Sequence, residues 1–481
     1  MKQKILPYIY CVLLAVACEA AFSVTTSPFH FLGISGDSAI FQTIGKYWVE
    51  GYLPYVQAWD LKGPLIFLGN YLGYLLTGSH VGVFIVLSAL LSLTFIGIYR
   101  LLREGFTRQW SCVLLLLPAL TFSDNIHGGN RVEEFLLPLL TLAYLLMYRW
   151  LSAVSDEDTV KHPARYALVY GMVLGGALMS RLTNAIGVMG GVAVIMVWLM
   201  AHREWRNLGH NALAFIGGFA VPTVPFIIYF WWKDALFDMW YGTVLYNLDY
   251  TAASGNDKSL AYLLAHYIDT WLLLGVAVAV LFLNPKRRLA AIVWTVVAVC
   301  SLLWLLSGNA WIQYGLISLP LSAVSFLEMK NLLKAVGERR KRVCRRAIAM
   351  VVVCYVAATA AIFVRKLQIY ANTVEAPDAY IEFMSDVPKV YKKSFVTFNC
   401  TTYFHTDEDV PPACRFFALQ DFEAAKSKSL QHYMQEAFET AKVKWILSDG
   451  EPVTIRKMIR SEYHVYKQDS KSGLILYRRN E

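Results

Sequence analysis

The chain has 481 residues, of which 57% are hydrophobic and only 16% are charged, and its mean hydropathy is +0.43. Soluble globular proteins carry about 25% charged residues, so this composition excludes a soluble protein and predicts a polytopic membrane protein. The formal charge of +9 does not indicate a nucleic-acid partner, because the basic residues stand in short loops between apolar runs, where they report topology.

Apolar runs long enough to cross a hydrocarbon core of ~30 Å recur along the first three quarters of the chain. Their length and periodicity predict about eleven membrane-spanning helices. The predicted spans are residues 5–27, 81–100, 111–123, 132–150, 165–180, 184–201, 211–231, 262–283, 289–306, 310–328 and 347–364. The first span also resembles a signal peptide, but the many spans after it favour an uncleaved signal-anchor.

A shorter apolar piece at residues 65–77 is placed by the distribution of positive charge. If it spans the membrane, the arginines between residues 100 and 108 face outward. If it lies along the outer interface, they face the cytoplasm together with the strongest basic cluster, at residues 330–346. The second arrangement is preferred. It predicts an inner-membrane protein with a cytoplasmic amino terminus and an extracytoplasmic carboxy-terminal segment.

The carboxy-terminal segment is polar and contains short alternating runs that are typical of strands. These runs are residues 395–398, 444–447 and 474–477, and residues 421–441 between them have a helical pattern. We therefore predict two domains, a membrane domain over 1–364 with a large first outer loop at 28–80, and a small α/β domain over 365–481. Cys400 and Cys414 can pair if this segment faces an oxidising compartment, but the sequence does not show that they are close enough.

The first outer loop carries the most distinctive polar residues. Asp37 comes early in this loop, the run Gly51 to Tyr55 follows, and Asp60 and Lys62 come last, among aromatic residues. Two carboxylates and a lysine are thereby expected at the mouth of the helix bundle. An ordinary polar loop with Trp and Tyr anchors at the interface explains the same residue types.

Two further junctions on the same face carry charge. Arg131, Glu133 and Glu134 run directly into an apolar helix, where carboxylates favour the helix dipole. Glu134 begins to enter the membrane, where an ionisable group is a functional candidate, and Arg131 is its natural counter-ion. Arg181 either extends to the headgroups or holds an anion.

The last outward junction contains Gln313 and Tyr314, which either line a site or anchor the interface. Taken together, these residues suit a substrate that bears a phosphate. Arginine and lysine hold a phosphate through charge-assisted hydrogen bonds, and a carboxylate accepts a proton from an attacking hydroxyl. Paired Cys-x-x-Cys motifs, a P-loop and a Ser-His-Asp arrangement are absent from the sequence, so no metal site is expected.

The order and spacing of these motifs resemble the large-loop membrane glycosyltransferases of GT-C fold that use polyprenyl-phosphate sugars. This group contains protein O-mannosyltransferases and lipid A aminoarabinose transferases. The matching elements are Asp37 after the first span, Gly-x-x-Pro-Tyr at 51–55, Asp-x-Lys-Gly-Pro at 60–64 and Asn-Arg-Val-Glu-Glu at 130–134. The resemblance is strongest over residues 30–200. Many relatives have a His-Tyr pair where this chain has Gln313 and Tyr314, so no histidine role is carried over.

The resemblance implies a GT-C bundle with a small outward carboxy-terminal domain, and an inverting sugar transfer at the outer membrane face. Asp37 would be the general base on the acceptor hydroxyl. Lys62, with Arg131 or Arg181, would stabilise the leaving polyprenyl phosphate. Asp60 and Glu134 would position the substrates, and Glu133, Gln313 and Tyr314 are the remaining candidates for substrate binding. The implied partners are a polyprenyl-phosphate-linked sugar, a hydroxyl-bearing glycan, lipid or protein, and membrane lipid, with no cofactor.

Two other classes of protein have similar hydrophobicity. A transporter or flippase of a lipid-linked sugar would carry ionisable residues near the bilayer midplane, often in inverted repeats, whereas here the charges gather at one face and no repeat is visible. A catalytically silent scaffold would not need carboxylates paired with basic residues. If the enzyme interpretation is right, Asp37, Lys62 and Glu134 should share one outward cavity.

Overall fold

The computed structural model describes residues 2–31, 36–157, 161–253, 258–307, 310–372, 382–383 and 385–480. The described chain is mostly helical. Its α-helices are Lys2–Phe22, Gly36–Val49, Pro64–Thr77, His80–Arg103, Arg108–Asn125, Leu137–Glu157, Ala164–Leu178, Ile186–Ala201, Trp205–Trp232, Leu236–Trp240, Tyr246–Ala252, Leu260–His266, Ile268–Leu283, Arg288–Ser307, Leu319–Ala335, Glu338–Asn372, Tyr403–Asp407, Gln420–Ala424, Lys428–Ala441 and Arg456–Glu462. The 3-10 helices are Val132–Phe135, Leu182–Ala185, Pro285–Arg287, Ile312–Ser318 and Lys389–Ser394, and Tyr241–Leu245 is a π-helix.

Each of the eleven predicted spans coincides with a helix, and the chain is an integral membrane protein. Within the described ranges, seven helices are long and apolar enough to cross a bilayer. The pair Leu260–His266 and Ile268–Leu283, bent by 90°, adds an eighth if it counts as one broken span. Helices Arg108–Asn125 and Ala164–Leu178 do not meet this test, so a total of eleven spans stays a prediction.

Three of the predicted spans begin with a tight 3-10 turn instead of an α-helix. Val132–Phe135, Leu182–Ala185 and Ile312–Ser318 each run directly into a longer α-helix. In the first of these turns Glu134 accepts a hydrogen bond from the backbone amide of Arg131, completing a capping box. These turns hold the charged and polar residues that the sequence singles out at the three junctions.

The contacts divide the chain into two compact units. The first unit comprises residues 1–23, 87–226 and 255–372, and the second comprises residues 24–86, 227–254 and 373–481. The boundary predicted at residue 364 stays a prediction.

The second unit contains two helices that belong to the predicted first outer loop. Gly36–Val49 was not indicated by the polar composition of this loop, whereas Pro64–Thr77 coincides with the predicted apolar piece at 65–77. Proline starts the latter helix at its first turn, and Gly78 ends it in a left-handed conformation with φ of 69°. The two helices cross closely, because a Cβ atom at Gly45 would lie 2.5 Å from the Cβ of Asn70. The expected position of helix Pro64–Thr77 along the membrane interface stays a prediction.

The carboxy-terminal part of this unit is the predicted small α/β fold. Strands β1 (Phe395–Phe398), β2 (Trp445–Asp449), β3 (Tyr463–Gln468) and β4 (Leu474–Arg479) form one sheet in the order β1-β2-β4-β3. β1 and β2 are parallel and the other two pairs are antiparallel. The three strands predicted from the sequence are confirmed, and β3 was not predicted.

The sequence of helix Lys428–Ala441 explains where the helix begins and which of its side chains are buried. Ser427 caps its amino terminus by accepting a hydrogen bond from the amide of Leu430. Leu430, Met434 and Phe438, spaced by four residues, are its buried side chains. Lys442 ends the helix in a left-handed conformation with φ of 48°.

Cys400 and Cys414 are both free thiols in this domain. The thiol of Cys400 donates a hydrogen bond of 3.2 Å to the carbonyl of Leu447. Burial raises the pKa of both thiols to about 12, so neither is a ready nucleophile near neutral pH. The pairing that the sequence left open is not formed here.

Candidate active site

The predicted base, Asp37, lies in the first turn of helix Gly36–Val49 and is half-buried. A carboxylate in the first turn of a helix is favoured by the exposed amide groups of that turn. Its negative charge acts on two further carboxyl groups, those of Asp60 and Glu423. All three belong to the second unit. The predicted loop residues are therefore brought together with one residue that the sequence did not suggest.

Asp60 and Lys62 are held by a tightly packed loop. The amide of Lys62 donates a hydrogen bond of 2.9 Å to the Asp60 carboxylate, and the Lys62 carbonyl accepts one of 2.7 Å from the Tyr55 hydroxyl. Tyr55 is fully buried and has a left-handed φ of 69°, a conformation that is uncommon and costly for a bulky residue. The surrounding structure must fix the loop in this shape.

Helical residues 236–252 supply that surrounding structure. The amide side chain of Asn247 donates 2.8 Å and 3.0 Å hydrogen bonds to the carbonyls of Leu61 and Gly242. A Cβ atom at Gly242 would lie 2.9 Å from the Tyr55 ring and 3.1 Å from the Asp60 carbonyl. Only glycine therefore lets the π-helix approach the loop this closely.

The carboxy-terminal fold completes the enclosure of the loop. The indole of Trp59 packs between the rings of Tyr246 and Phe416, with centroid distances of 5.4 Å and 5.3 Å. The Trp59 amide donates a 2.9 Å hydrogen bond to the Arg415 carbonyl, and the Tyr246 hydroxyl donates one of 3.0 Å to the Glu423 carbonyl. Glu423 is thus placed beside the Asp60–Lys62 loop by backbone contacts as well as by its charge.

The electrostatics of this group are set by burial. Asp60 is 4% exposed and Glu423 is 2% exposed. Burial raises the pKa of Asp60 to about 6, against the opposing effect of Lys62 and with a further rise from Asp37. Burial, followed by the charge of Asp60, raises the pKa of Glu423 well above its usual range. The site can therefore hold a proton at neutral pH, which is what acid–base chemistry on a hydroxyl group requires.

The remaining predicted residues lie in the first unit, within its 3-10 turns or directly before them. Arg181 makes an ion pair of 3.1 Å with Glu133, and its guanidinium lies 3.4 Å from the centre of the Tyr314 ring. Glu133 is buried and the Arg181 side chain is 18% exposed. Arg181 thus directs its charge to a carboxylate and an aromatic face, and its role in holding an anion stays a prediction.

Arg131 and Glu134 are joined by a backbone hydrogen bond, and the role of Arg131 as counter-ion of Glu134 stays a prediction. The Arg131 amide donates a 2.5 Å hydrogen bond to the Glu134 carboxylate, whereas its guanidinium donates to the His127 carbonyl. The Arg131 charge also acts on Glu134. Gln313 is buried, and its side-chain oxygen accepts no hydrogen bond from the described residues.

Other charged groups in the first unit were not selected from the sequence. Asp124 is buried and contacts His266 at 2.5 Å and Lys366 at 3.1 Å. Glu19 is 1% exposed within helix Lys2–Phe22, and its carboxyl interacts with Glu134. The sequence could have marked Glu19 as a functional candidate, because it is a carboxylate inside an apolar span. Nothing in the sequence joined Asp124 to partners more than a hundred residues away.

The expectation that Asp37, Lys62 and Glu134 share one cavity stays a prediction. In the described part of the chain no cluster of three or more His, Cys, Asp and Glu side chains is arranged to hold a metal ion.

Comparison with known proteins rests on structure alone, because no protein-family profile and no curated protein sequence matches the chain. ArnT from Cupriavidus metallidurans, solved bound to undecaprenyl phosphate, is similar with a TM-score of 0.56 and 12% identity, over 99% of this chain and 98% of ArnT. The oligosaccharyltransferase of Archaeoglobus fulgidus is similar with a TM-score of 0.51 and 13% identity, over 92% of this chain and 69% of that protein. At such identities the likeness speaks to fold, and the chain has the GT-C glycosyltransferase fold that its motifs predict.

Proposed function

We propose that the chain is an inverting glycosyltransferase that moves a sugar from a polyprenyl-phosphate donor to a hydroxyl group of an acceptor, at the outer face of the inner membrane. One observation supports this most strongly. In a fold shared with a protein solved with undecaprenyl phosphate, the charges of Asp37 and Lys62 both act on the buried carboxyl groups of Asp60 and Glu423. Carboxyl groups beside a lysine are what proton transfer and phosphate departure need together.

In the proposed reaction the Asp37 carboxylate accepts the proton of the acceptor hydroxyl. The oxygen attacks the anomeric carbon of the sugar and forms the new glycosidic bond. The bond from that carbon to the phosphate oxygen breaks, and its electron pair leaves with the polyprenyl phosphate. Lys62 stabilises the charge that develops on the phosphate. Asp60 fixes the Lys62 backbone through its hydrogen bond and so positions the ammonium group.

The residues of the 3-10 turns have a substrate-binding role in this scheme. Arg181 already neutralises Glu133 and stacks on Tyr314, which suits it to orient a binding surface more than to carry the leaving charge alone. Arg131, Glu134 and Gln313 belong to the same proposed surface. Gln313 has a buried carbonyl oxygen that can accept a hydrogen bond from a sugar hydroxyl.

The test is a transfer assay with purified protein in lipid nanodiscs, supplied with radiolabelled polyprenyl-phosphate sugars and membrane extracts as acceptor source. Labelled glycosidic product and free polyprenyl phosphate should appear together, in equal amounts. Donor movement across proteoliposome membranes without product would instead identify a transporter. The absence of both would contradict an activity on lipid-linked sugars altogether.

A further inference from the structure

The second unit contains a cleft of about 680 Å³ that the proposed reaction centre does not use. Tyr52, Val56 and Gln57 of the first outer loop line one side of it. Helix Lys428–Ala441 lines the other side through Tyr433, Glu436 and Thr440. The volume lies within the range of about 300–1,000 Å³ that is usual for small-molecule sites. We refer to it as the Tyr433 cleft.

The helix presents a face to this cleft that differs from the face it buries. Leu430, Met434 and Phe438 pack inward, whereas Tyr433, Glu436 and Thr440 recur at spacings of three and four residues on a neighbouring face. The Tyr433 ring is fixed edge-on against Tyr241 at 5.2 Å. The cleft therefore has a rigid aromatic wall with hydrogen-bonding side chains beside it.

The cleft is continuous with the loop that carries Asp60 and Lys62. Gln57 lies three residues before Asp60, and its side-chain oxygen accepts a hydrogen bond of 2.5 Å from the Leu53 amide. Arg415, which lines the cleft, accepts the Trp59 amide hydrogen bond through its carbonyl. A ligand bound here contacts the same loop whose other residues form the proposed reaction centre.

The charges of the lining favour a neutral ligand. Lys393 and Glu436 oppose each other in sign, and the guanidinium of Arg415 is already paired with Asp238 at 3.0 Å. A separate cleft of about 580 Å³ in the same unit carries Arg456, Lys457 and Arg460 and would suit an anion better. A lipid chain is not favoured in the Tyr433 cleft, because polar side chains interrupt its apolar surface.

We propose that the Tyr433 cleft binds the acceptor of the reaction and that this acceptor is a neutral, hydroxyl-rich glycan of a few sugar rings. Aromatic side chains with a small number of placed hydrogen-bonding groups are the usual lining of a small-molecule site, and the hydroxyl groups of a neutral sugar can satisfy such groups. This inference rests on the proposed glycosyl transfer for its role as acceptor site. The binding of a glycan in the cleft does not depend on that activity.

A kinetic experiment tests the acceptor role. Thr440→Trp places a large ring in the cleft from an exposed helix position, and Glu439→Trp places the same ring at the adjacent exposed position, which does not line the cleft. Thr440→Trp should raise the KM for the acceptor about tenfold, equivalent to about 1.4 kcal/mol, and by more than it raises the KM for the donor. Glu439→Trp should behave as wild type. Equal acceptor KM values for all three proteins would overturn the proposal.

A cross-linking experiment tests occupancy without any assay of transfer. Gln57→p-benzoylphenylalanine in the full chain, irradiated in native membranes, should give an adduct that periodate degrades, whereas Glu439→p-benzoylphenylalanine should not. An adduct removed by protease but not by periodate, or no adduct, would overturn glycan binding. If the wild-type protein transfers no sugar while the periodate-sensitive adduct forms, the proposed function fails and the glycan site stands.

Discussion

The two units of this protein differ in the partners of several buried carboxyl groups. In the first unit Glu133 pairs with Arg181, and Asp124 pairs with His266 and Lys366, although Glu19 and Glu134 interact with each other. In the second unit the charges of Asp37 and Lys62 both act on the buried carboxyl groups of Asp60 and Glu423. A nearby cation stabilises a carboxylate in its charged form, whereas burial, with a smaller effect from neighbouring carboxyl groups, raises the pKa of Asp60 and Glu423. Under the proposed function, we expect proton transfer in the second unit, at Asp37, and organisation of charge in the first.

The largest effect should come from Asp37→Asn, which keeps the shape of the side chain and removes its basicity. Transfer should fall about 10³-fold in kcat, within the range for loss of a general base, because the acceptor hydroxyl then has no proton acceptor. Rates of labelled product formation at saturating donor measure this.

Asp124→Asn is the matched control in the first unit. It should lower the melting temperature by disturbing the contacts to His266 and Lys366, with a much smaller change in kcat. If the two variants lose kcat equally, the functional distinction between the units is wrong.

The second largest effect should come from replacing Lys62. Lys62→Ala should lower kcat about 10²-fold, since one charge that stabilises the leaving phosphate is lost, and Lys62→Arg should restore part of it. Steady-state rates with a polyprenyl-phosphate sugar give both values. Lys366→Ala, which removes a lysine paired with Asp124, should change the melting temperature more than the rate. A Lys62→Ala protein with wild-type kcat would remove the proposed phosphate role.

Sequence patterns predicted the parts of this molecule that depend on local composition. The helices at the eleven apolar runs, the strands at 395–398, 445–449 and 474–479, and the neighbourhood of Asp37, Asp60 and Lys62 all follow from hydrophobic length, alternation or motif order. Residues joined only by tertiary packing were missed. Glu423 reaches Asp60 because Trp59, Tyr246 and Phe416 stack together, and no local pattern reports such a contact.

The helix starts near residues 131 and 181 show a related limit of prediction from sequence. Charge at the helix starts marked Arg131, Glu133 and Arg181 as candidates, but it did not predict that Arg181 pairs with Glu133 across 48 residues of sequence. Nor did it predict that the backbone amide of Arg131 donates a hydrogen bond to Glu134. Residue types indicate which groups are costly to bury, whereas the choice of partner depends on how the helices pack.

The third largest effect should come from breaking the ion pair between Glu133 and Arg181 in the first unit. Glu133→Ala should destabilise the protein by about 3 kcal/mol, because it leaves the Arg181 charge poorly compensated in a mostly buried position. Glu133→Ala combined with Arg181→Met should recover much of that loss. Thermal unfolding in one detergent, arranged as a double-mutant cycle, measures the coupling. Additive losses would show that the 3.1 Å pair contributes no coupling to stability.

The smallest effect should be a pH dependence of protein stability that arises from Asp60 in the second unit. The pKa of Asp60 is raised from its ordinary value of 3.8 to about 6 in the folded protein. Its contribution to stability is therefore fully present below about pH 4 and is lost as the pH rises through 6. Asp60→Asn cannot ionise, so it should be more stable than wild type at pH 7.5, by at most about 3 kcal/mol at 1.36 kcal/mol per pH unit, and this advantage should disappear near pH 4. Melting curves across this range, with the exposed Asp234→Asn as a control that follows wild type, measure it. Parallel curves for wild type and Asp60→Asn would mean that burial of this carboxylate is not what distinguishes the second unit.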